Sequence, residues 1–273
     1  MTRAGVRDAS DEELAALAFL AHVDGLCILT RGAPGGEVLD ARGVACWLGP
    51  HELPMLVNGA ARFRPELRGA EVLDAAREFF APRRRGFSLY ALDGRDDDVR
   101  DASASAGLTS MRDAAPLMAR ECPDETVEPP RGVVVRRVDD AAGVADLAAV
   151  SADAYAVYGM PRDVPAAAFA DPGVVLVPHI AAVVAYDDDG PVATAMAIAT
   201  HGTAYLAWVG TVTRGQRRGL GAAVTDAATL AGFDLGARVA TLLASPMGAP
   251  VYRRLGWRDV GTLTYHVDAA PGA

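Results

Sequence analysis

Between an apolar run at residues 204–209 and an amphipathic run at 222–233 lies Thr-Val-Thr-Arg-Gly-Gln-Arg-Arg-Gly-Leu-Gly-Ala, residues 211–222. A strand that turns through glycines into a helix start gathers unpaired backbone N–H groups around one point, at the positive end of the helix dipole. Such a turn is an anion cradle. Gly219 and Gly221 matter most, because a missing Cβ lets phosphate oxygens approach the main chain and permits the turn that aims the N–H groups inward. Two common phosphate loops are excluded. Ala222 and Ala223 stand where a Walker loop needs Lys and then Ser or Thr, and the G-x-G-x-x-G spacing of a dinucleotide fingerprint is missing.

Gln216, Arg217, Arg218, Gly219, Leu220, Gly221 and Ala222 do read as Q/R-x-x-G-x-G/A. Here the chain resembles the GNAT superfamily of N-acetyltransferases, whose corresponding loop holds the pyrophosphate of acetyl-CoA. The resemblance continues through a β-like run at 238–244 into Ala249-Pro-Val-Tyr252-Arg-Arg-Leu-Gly-Trp257. That segment is similar to a family signature ending in Y-x-x-x-G-F, with Trp257 for Phe. The resemblance implies an α+β fold, the acyl-CoA N-acyltransferase fold, with a mixed and mostly antiparallel sheet flanked by helices. It also implies acetyl-CoA as co-substrate and an amine of a small molecule or peptide as acceptor.

Acetyl transfer from a thioester to an amine leaves three tasks to the protein, since the thioester is already reactive and positioning supplies much of the acceleration. The amine must be neutral, the developing oxyanion needs a donor, and the departing thiolate leaves better when protonated. By resemblance Tyr252 is the acid, although a core tyrosine would give the same letter. Backbone N–H groups among Val209, Gly210, Thr211 and Val212 are the oxyanion candidates, with Gly210 allowing either a bulge or a close approach. Arg217 and Arg218 are placed to contact CoA phosphates, or to sit in solvent. Ser245 occupies the place where many relatives use Asn to bind the pantetheine arm. No Asp or Glu occurs in residues 193–212, so that sheet offers no carboxylate base. His201 adjoins Gly202 at an expected hairpin tip and reads as a solvated turn residue. Tyr155 and Tyr158 fall where the family covers its acceptor site, and a packed helix face would give the same pair. A CoA-binding regulatory or scaffolding protein without catalysis is the alternative that this missing base leaves open.

Three prolines and four acids in residues 121–131 interrupt any helix or strand pattern and predict a linker. A catalytic domain at 132–268 should follow. Its expected order is a strand at 132–138, a helix at 141–155 capped by Asp139 or Asp140, and a hairpin of 179–186 and 191–200 turning on Asp187-Asp-Asp-Gly190. A strand at 204–212, a helix to 233, a strand at 238–244, a helix at 249–255 and strands within 257–267 complete it. Residues 1–120 repeat part of this order: a helical pattern at 69–80, a strand at 86–92, and a helix from 96 ending at Gly107. Ala106-Gly-Leu108 sits where Leu255-Gly-Trp257 sits in the second half. The first half therefore reads as a degenerate GNAT-like lobe. Its residues 61–68 have no glycine pair, and Pro65 lacks an N–H, so no CoA is expected there.

A net charge of −9 argues against a broad basic surface for nucleic acid. All 26 basic residues are Arg, a bias of usage more than a binding device. Cys27, Cys46 and Cys122 have neither disulfide-framework nor zinc spacing, so no metal is expected. Residues 1–11 show no apolar leader core, and no run approaches the length of a membrane span, so a cytoplasmic protein without membrane partners is expected. A homodimer is left open.

Overall fold

The glycine loop joins a strand to a helix as its spacing requires, but the sheet around it draws on both halves of the chain. The computed structural model describes residues 9–110, 115–123 and 125–269. The first half contributes α1 (Asp11–Gly32), β1 (Glu37–Ala41), β2 (Val44–Leu48), β3 (Asn58–Arg62), α2 (Gly69–Phe80), β4 (Phe87–Leu92), α3 (Asp97–Ser105), β5 (Thr109–Ser110) and β6 (Ala115–Arg120). The second contributes β7 (Val134–Arg137), α4 (Ala141–Ala156), α5 (Asp163–Ala168), β8 (Ile180–Asp187), β9 (Gly190–Thr200), β10 (Thr203–Thr211), α6 (Leu220–Asp234), β11 (Val239–Leu243), α7 (Ala249–Arg254) and β12 (Arg258–Asp268).

All twelve described strands form one sheet, in the order β1-β2-β3-β4-β12-β6-β11-β10-β9-β8-β7, with β5 against β12. Outward from the central β12–β6 pair the two flanks match. Each has an antiparallel neighbour, then a parallel pair (β4 with β3, β11 with β10), then an antiparallel continuation. This is a mixed, mostly antiparallel α+β sheet with an internal repeat, as the sequence order predicts. The centre is exchanged. β6 precedes the linker yet lies between β11 and β12, and β12 pairs with β4 of the first half. Where a run of strands was expected at 257–267, one strand of 11 residues stands, because β6 supplies its partner.

Helices cover both faces. On one, Leu220, Val224, Ala228 and Ala231 of α6 pack on an alanine-rich surface that includes Ala181, Ala195, Ala197 and Ala204. The approach is close: a Cβ on Gly232 would lie 2.3 Å from the Cβ of Ala204. On the other face, Val144 and Leu147 of α4 pack on Ala182, Val184, Met196 and Ile198. Beside α4, α1 lays Leu14, Ala18, Phe19 and Val23 over Leu117, Val239 and Leu263, and so covers the exchanged strands. Ser10 and Glu13 close a capping box at its start.

Helix α1 and strands β1 to β3 are absent from the expectations above, and α1 corrects one of them. At 22 residues it is long and apolar enough to cross a membrane by length and composition. Two thirds of its apolar window is buried against the sheet, and Asp11, Glu12 and Glu13 occupy its first turn. The leader-free reading of residues 1–8 falls outside the described residues.

Because β11 and β12 meet only through β6, residues 132–269 expressed alone should expose two long strand edges with nothing between them. We expect that fragment to associate on size-exclusion chromatography and to lack a cooperative thermal transition. A monomer melting in one sharp step would show that β6 is dispensable.

Candidate active site

Parallel pairing of β10 with β11 runs from Thr203 to Leu206 against Val239 to Leu242 and then stops. Beyond it β10 bulges. The register with β9 shifts between Ala207 and Gly210, and Trp208 takes a left-handed backbone with φ of 52°. A positive φ in an aromatic residue is strained, so the surrounding packing must hold it. The Trp208 ring is wedged between Tyr155 and Phe169, with centroids 5.3 and 5.0 Å away. Gly210 stands at the end of that bulge and also makes a close approach: a Cβ there would lie 2.7 Å from the Cβ of Ala154, so glycine lets α4 pack against β10.

The strands part around a cleft of about 670 Å³, whose walls include Val209, Gly210, Thr211, Gln216, Gly219, Gly221, Ala222, Ser245 and Tyr252. Past a short 3-10 turn at Thr213–Gly215 the chain extends through Gln216, turns left-handed at Arg217 (φ 62°), and enters α6 through Gly219 (φ 83°). Gly219 is the N-cap and no side chain caps it, so the first N–H groups of α6 have no capping side chain. Arg217, Leu220 and Arg254 also line the cleft, and among the described residues no carboxylate does. Asp153 fixes the loop from behind, accepting from Thr213 N at 2.8 Å, and that N–H leads the causes that lower its pKa.

Two expected residues lie elsewhere. Arg218 is not in the cleft: it and Arg214 each bind Asp187 at 2.8 Å and hold its carboxyl down to about 2. Val212 is closed into the sheet, its N–H donating to Val192 O at 3.0 Å. His201 sits exposed at the β9–β10 tip, 3.2 Å from Asp24, as its Gly202 neighbour suggests.

Tyr252 is 8% exposed, packed near Trp257. Its hydroxyl has no partner among the described residues, and burial followed by the neighbouring Tyr158 raises its pKa, keeping the proton on oxygen. Ser245 accepts from Gly248 N at 3.1 Å and meets the Tyr158 hydroxyl at 3.0 Å, so this pair bridges the gap between α4 and the end of β11. Tyr155 donates to the Val209 carbonyl at 3.4 Å.

A second cavity, of about 180 Å³, opens beside the cleft and shares Tyr155, Tyr158, Val209, Ser245 and Tyr252 with it. Its far wall comes from the first half: His22, Leu26 and Leu29 of α1, with Leu56 and Val57. His22 Nδ1 lies 2.8 Å from the Tyr205 hydroxyl, and burial brings its pKa down to about 4. Neither residue figures in the sequence reading. The signal was a histidine within an otherwise apolar stretch of α1, and it could not be placed without the fold. Tyr155, Tyr158 and Ser245 also line a third cavity, of about 140 Å³.

The first half lacks the open helix start. At the matching position, Asp98 accepts from Gly69 N at 2.7 Å and Glu71 from Arg68 N at 2.8 Å, so carboxylates of the chain itself fill the N-terminus of α2. A Cβ on Gly69 would lie 2.1 Å from Asp98 O. Beside it, Arg62 and Asp96 form a buried ion pair at 2.7 Å. An external anion would have to displace these carboxylates to reach the N–H groups of Arg68 and Gly69.

No family model matches the sequence, and no curated protein matches it either. Solved structures do. A GCN5-related N-acetyltransferase from Kribbella flavida is 27% identical with a TM-score of 0.70, over 95% of this chain and 96% of that one. One from Sphaerobacter thermophilus is 16% identical with a TM-score of 0.58, over 85% and 78%. A tandem GNAT protein from the clavulanic acid biosynthesis pathway is 15% identical with a TM-score of 0.57, over 84% and 80%; these last two share the fold.

The close approach at Gly210 carries a stability prediction. Gly210→Val should force α4 from β10 and destabilise the protein by about 1–3 kcal/mol, the usual range for overpacking. Chemical denaturation measures it, and an unchanged midpoint would mean that α4 yields freely.

Proposed function

We propose that this chain is a member of the GCN5-related N-acetyltransferase superfamily and transfers acetyl from acetyl-CoA to an amine by direct attack. One observation carries the reading: an uncapped helix start with a glycine N-cap opens into the same cleft as the unpartnered hydroxyl of Tyr252. The fit to CoA is chemical. A polyanion needs free N–H donors and positive charge without competing carboxylates, and Gly219, Leu220, Gly221 and Ala222 with Arg217 and Arg254 meet that need. Ser245 borders the path of the pantetheine arm.

Acetyl-CoA supplies an activated acyl group; the protein positions it and handles charge and protons. Past Leu206, β10 has no ladder on the β11 side, so backbone groups around Val209 and Gly210 face the gap and can donate to the acyl oxygen as it gains charge. Tyr252 donates its proton to the leaving sulfur. Among the described residues the cavity linings contain no carboxylate, so water relays the amine proton outward. The buried, reduced thiols of Cys27 and Cys46 suit a cytoplasmic setting.

Gly219→Asp should weaken CoA binding strongly while Gly219→Asn, equal in size and in tolerance of a positive φ, weakens it far less. Calorimetry compares the two; equal affinities would remove the cradle. Tyr252→Phe should keep CoA affinity and lower kcat by roughly 10²–10⁴-fold. Thiol release at an unchanged rate, with only the melting temperature lowered, would make Tyr252 a packing residue. CoA binding with no thiol release from any amine would favour a binding protein without catalysis.

A further inference from the structure

The cavity between the halves has a composition that selects its occupant. Its walls are mostly hydrocarbon and aromatic, and among the described residues no Asp, Glu or Arg lines it. A polycationic amine would find no carboxylate there, and an amino acid would find no cation for its carboxylate. An empty apolar cavity of about 150 Å³ holds benzene, so about 180 Å³ suits a body of one ring.

The polar atoms are few and mostly engaged. Tyr155 donates to Val209, Tyr158 meets Ser245, and Tyr205 meets His22. His22 Nε2 is different: the residue is 1% exposed, lines the cavity, and this nitrogen has no partner. A buried polar atom left unsatisfied is costly, so a ligand that pairs with it gains. Its position is also informative. His22 belongs to the wall that the first half supplies and not to the residues shared with the cleft, so it meets the part of a bound acceptor that lies away from the cleft. Burial keeps the imidazole neutral, with a pKa of about 4. Whichever nitrogen carries the proton, a hydroxyl can pair with Nε2, because it both donates and accepts.

We propose that the acceptor is an uncharged-bodied primary amine built on one apolar ring, with a hydroxyl at the end away from its nitrogen, and that His22 Nε2 receives that hydroxyl. The inference rests on the acetyltransferase reading above. It makes His22 a specificity residue contributed by the half that holds no CoA.

The probes are 2-phenylethylamine, its 4-hydroxy analogue, glutamate and an aminoglycoside, each assayed for binding to the CoA-loaded protein and for thiol release from acetyl-CoA. Both ring amines should bind and the charged probes should not. The hydroxyl should raise kcat/KM about tenfold, the equivalent of one buried hydrogen bond. His22→Leu should erase that advantage, read as the ratio of kcat/KM between the two ring amines, while CoA affinity stays unchanged. With imidazole-¹⁵N-labelled wild-type protein, the Nε2 resonance of His22 should move with the hydroxylated amine only, a result that requires no variant to fold. Binding of neither ring amine, preference for a charged probe, or a hydroxyl advantage surviving in His22→Leu would overturn the proposal. Ring amines that bind without thiol release would instead overturn the transferase reading and leave the pocket assignment in place.

Discussion

Four residue pairs hold β10 to β11, and the end of that pairing at Leu206 creates everything functional in the molecule. Had the ladder continued, the backbone groups around Val209 would be spent on it and neither cavity would exist. The separation is maintained from both sides. Trp208 is held left-handed between Tyr155 and Phe169, so β10 bends away, and the Tyr158–Ser245 hydrogen bond props the gap from α4. Gly210 permits this by letting α4 approach closely enough for its tyrosines to reach across.

The two halves share an architecture and divide the work. In the second, a glycine N-cap leaves the start of α6 open; in the first, Asp98 and Glu71 occupy the start of α2 with the chain's own carboxylates. One geometry becomes an anion site or a structural joint according to which residues stand beside it. The first half also supplies β6 to the centre of the sheet and α1 to the far wall of the inner cavity. The proposed cofactor cleft and acceptor cavity thus meet at the Tyr155, Tyr158 and Ser245 cluster, which lines both.

Most of the second half was legible in the sequence because its signals are local: glycines at fixed offsets, an Asp-rich turn, apolar runs of strand length. The repeat was legible too, through Gly107 and Gly256. What escaped is non-local. The exchange of β6 and β12 joins residues about 140 positions apart, and no periodicity records it. Helix α1 was missed because an apolar run with few breaks carries little 3.6-residue contrast when it is buried on several sides. His22 and Tyr205, 183 positions apart, could be paired only by the fold. Arg218 misled for a simpler reason. The loop pattern places it beside the cradle, and Asp187 from the neighbouring hairpin draws it away.

If the gap between β10 and β11 receives acetyl-CoA, a crystal structure of the protein with bound CoA should show one molecule per chain, with its pyrophosphate over the N–H groups of residues 219–222, its pantetheine arm between the two strands, and its sulfur within reach of the Tyr252 hydroxyl. CoA bound away from that gap, or a second molecule seated at Gly69 against Asp98, would contradict it.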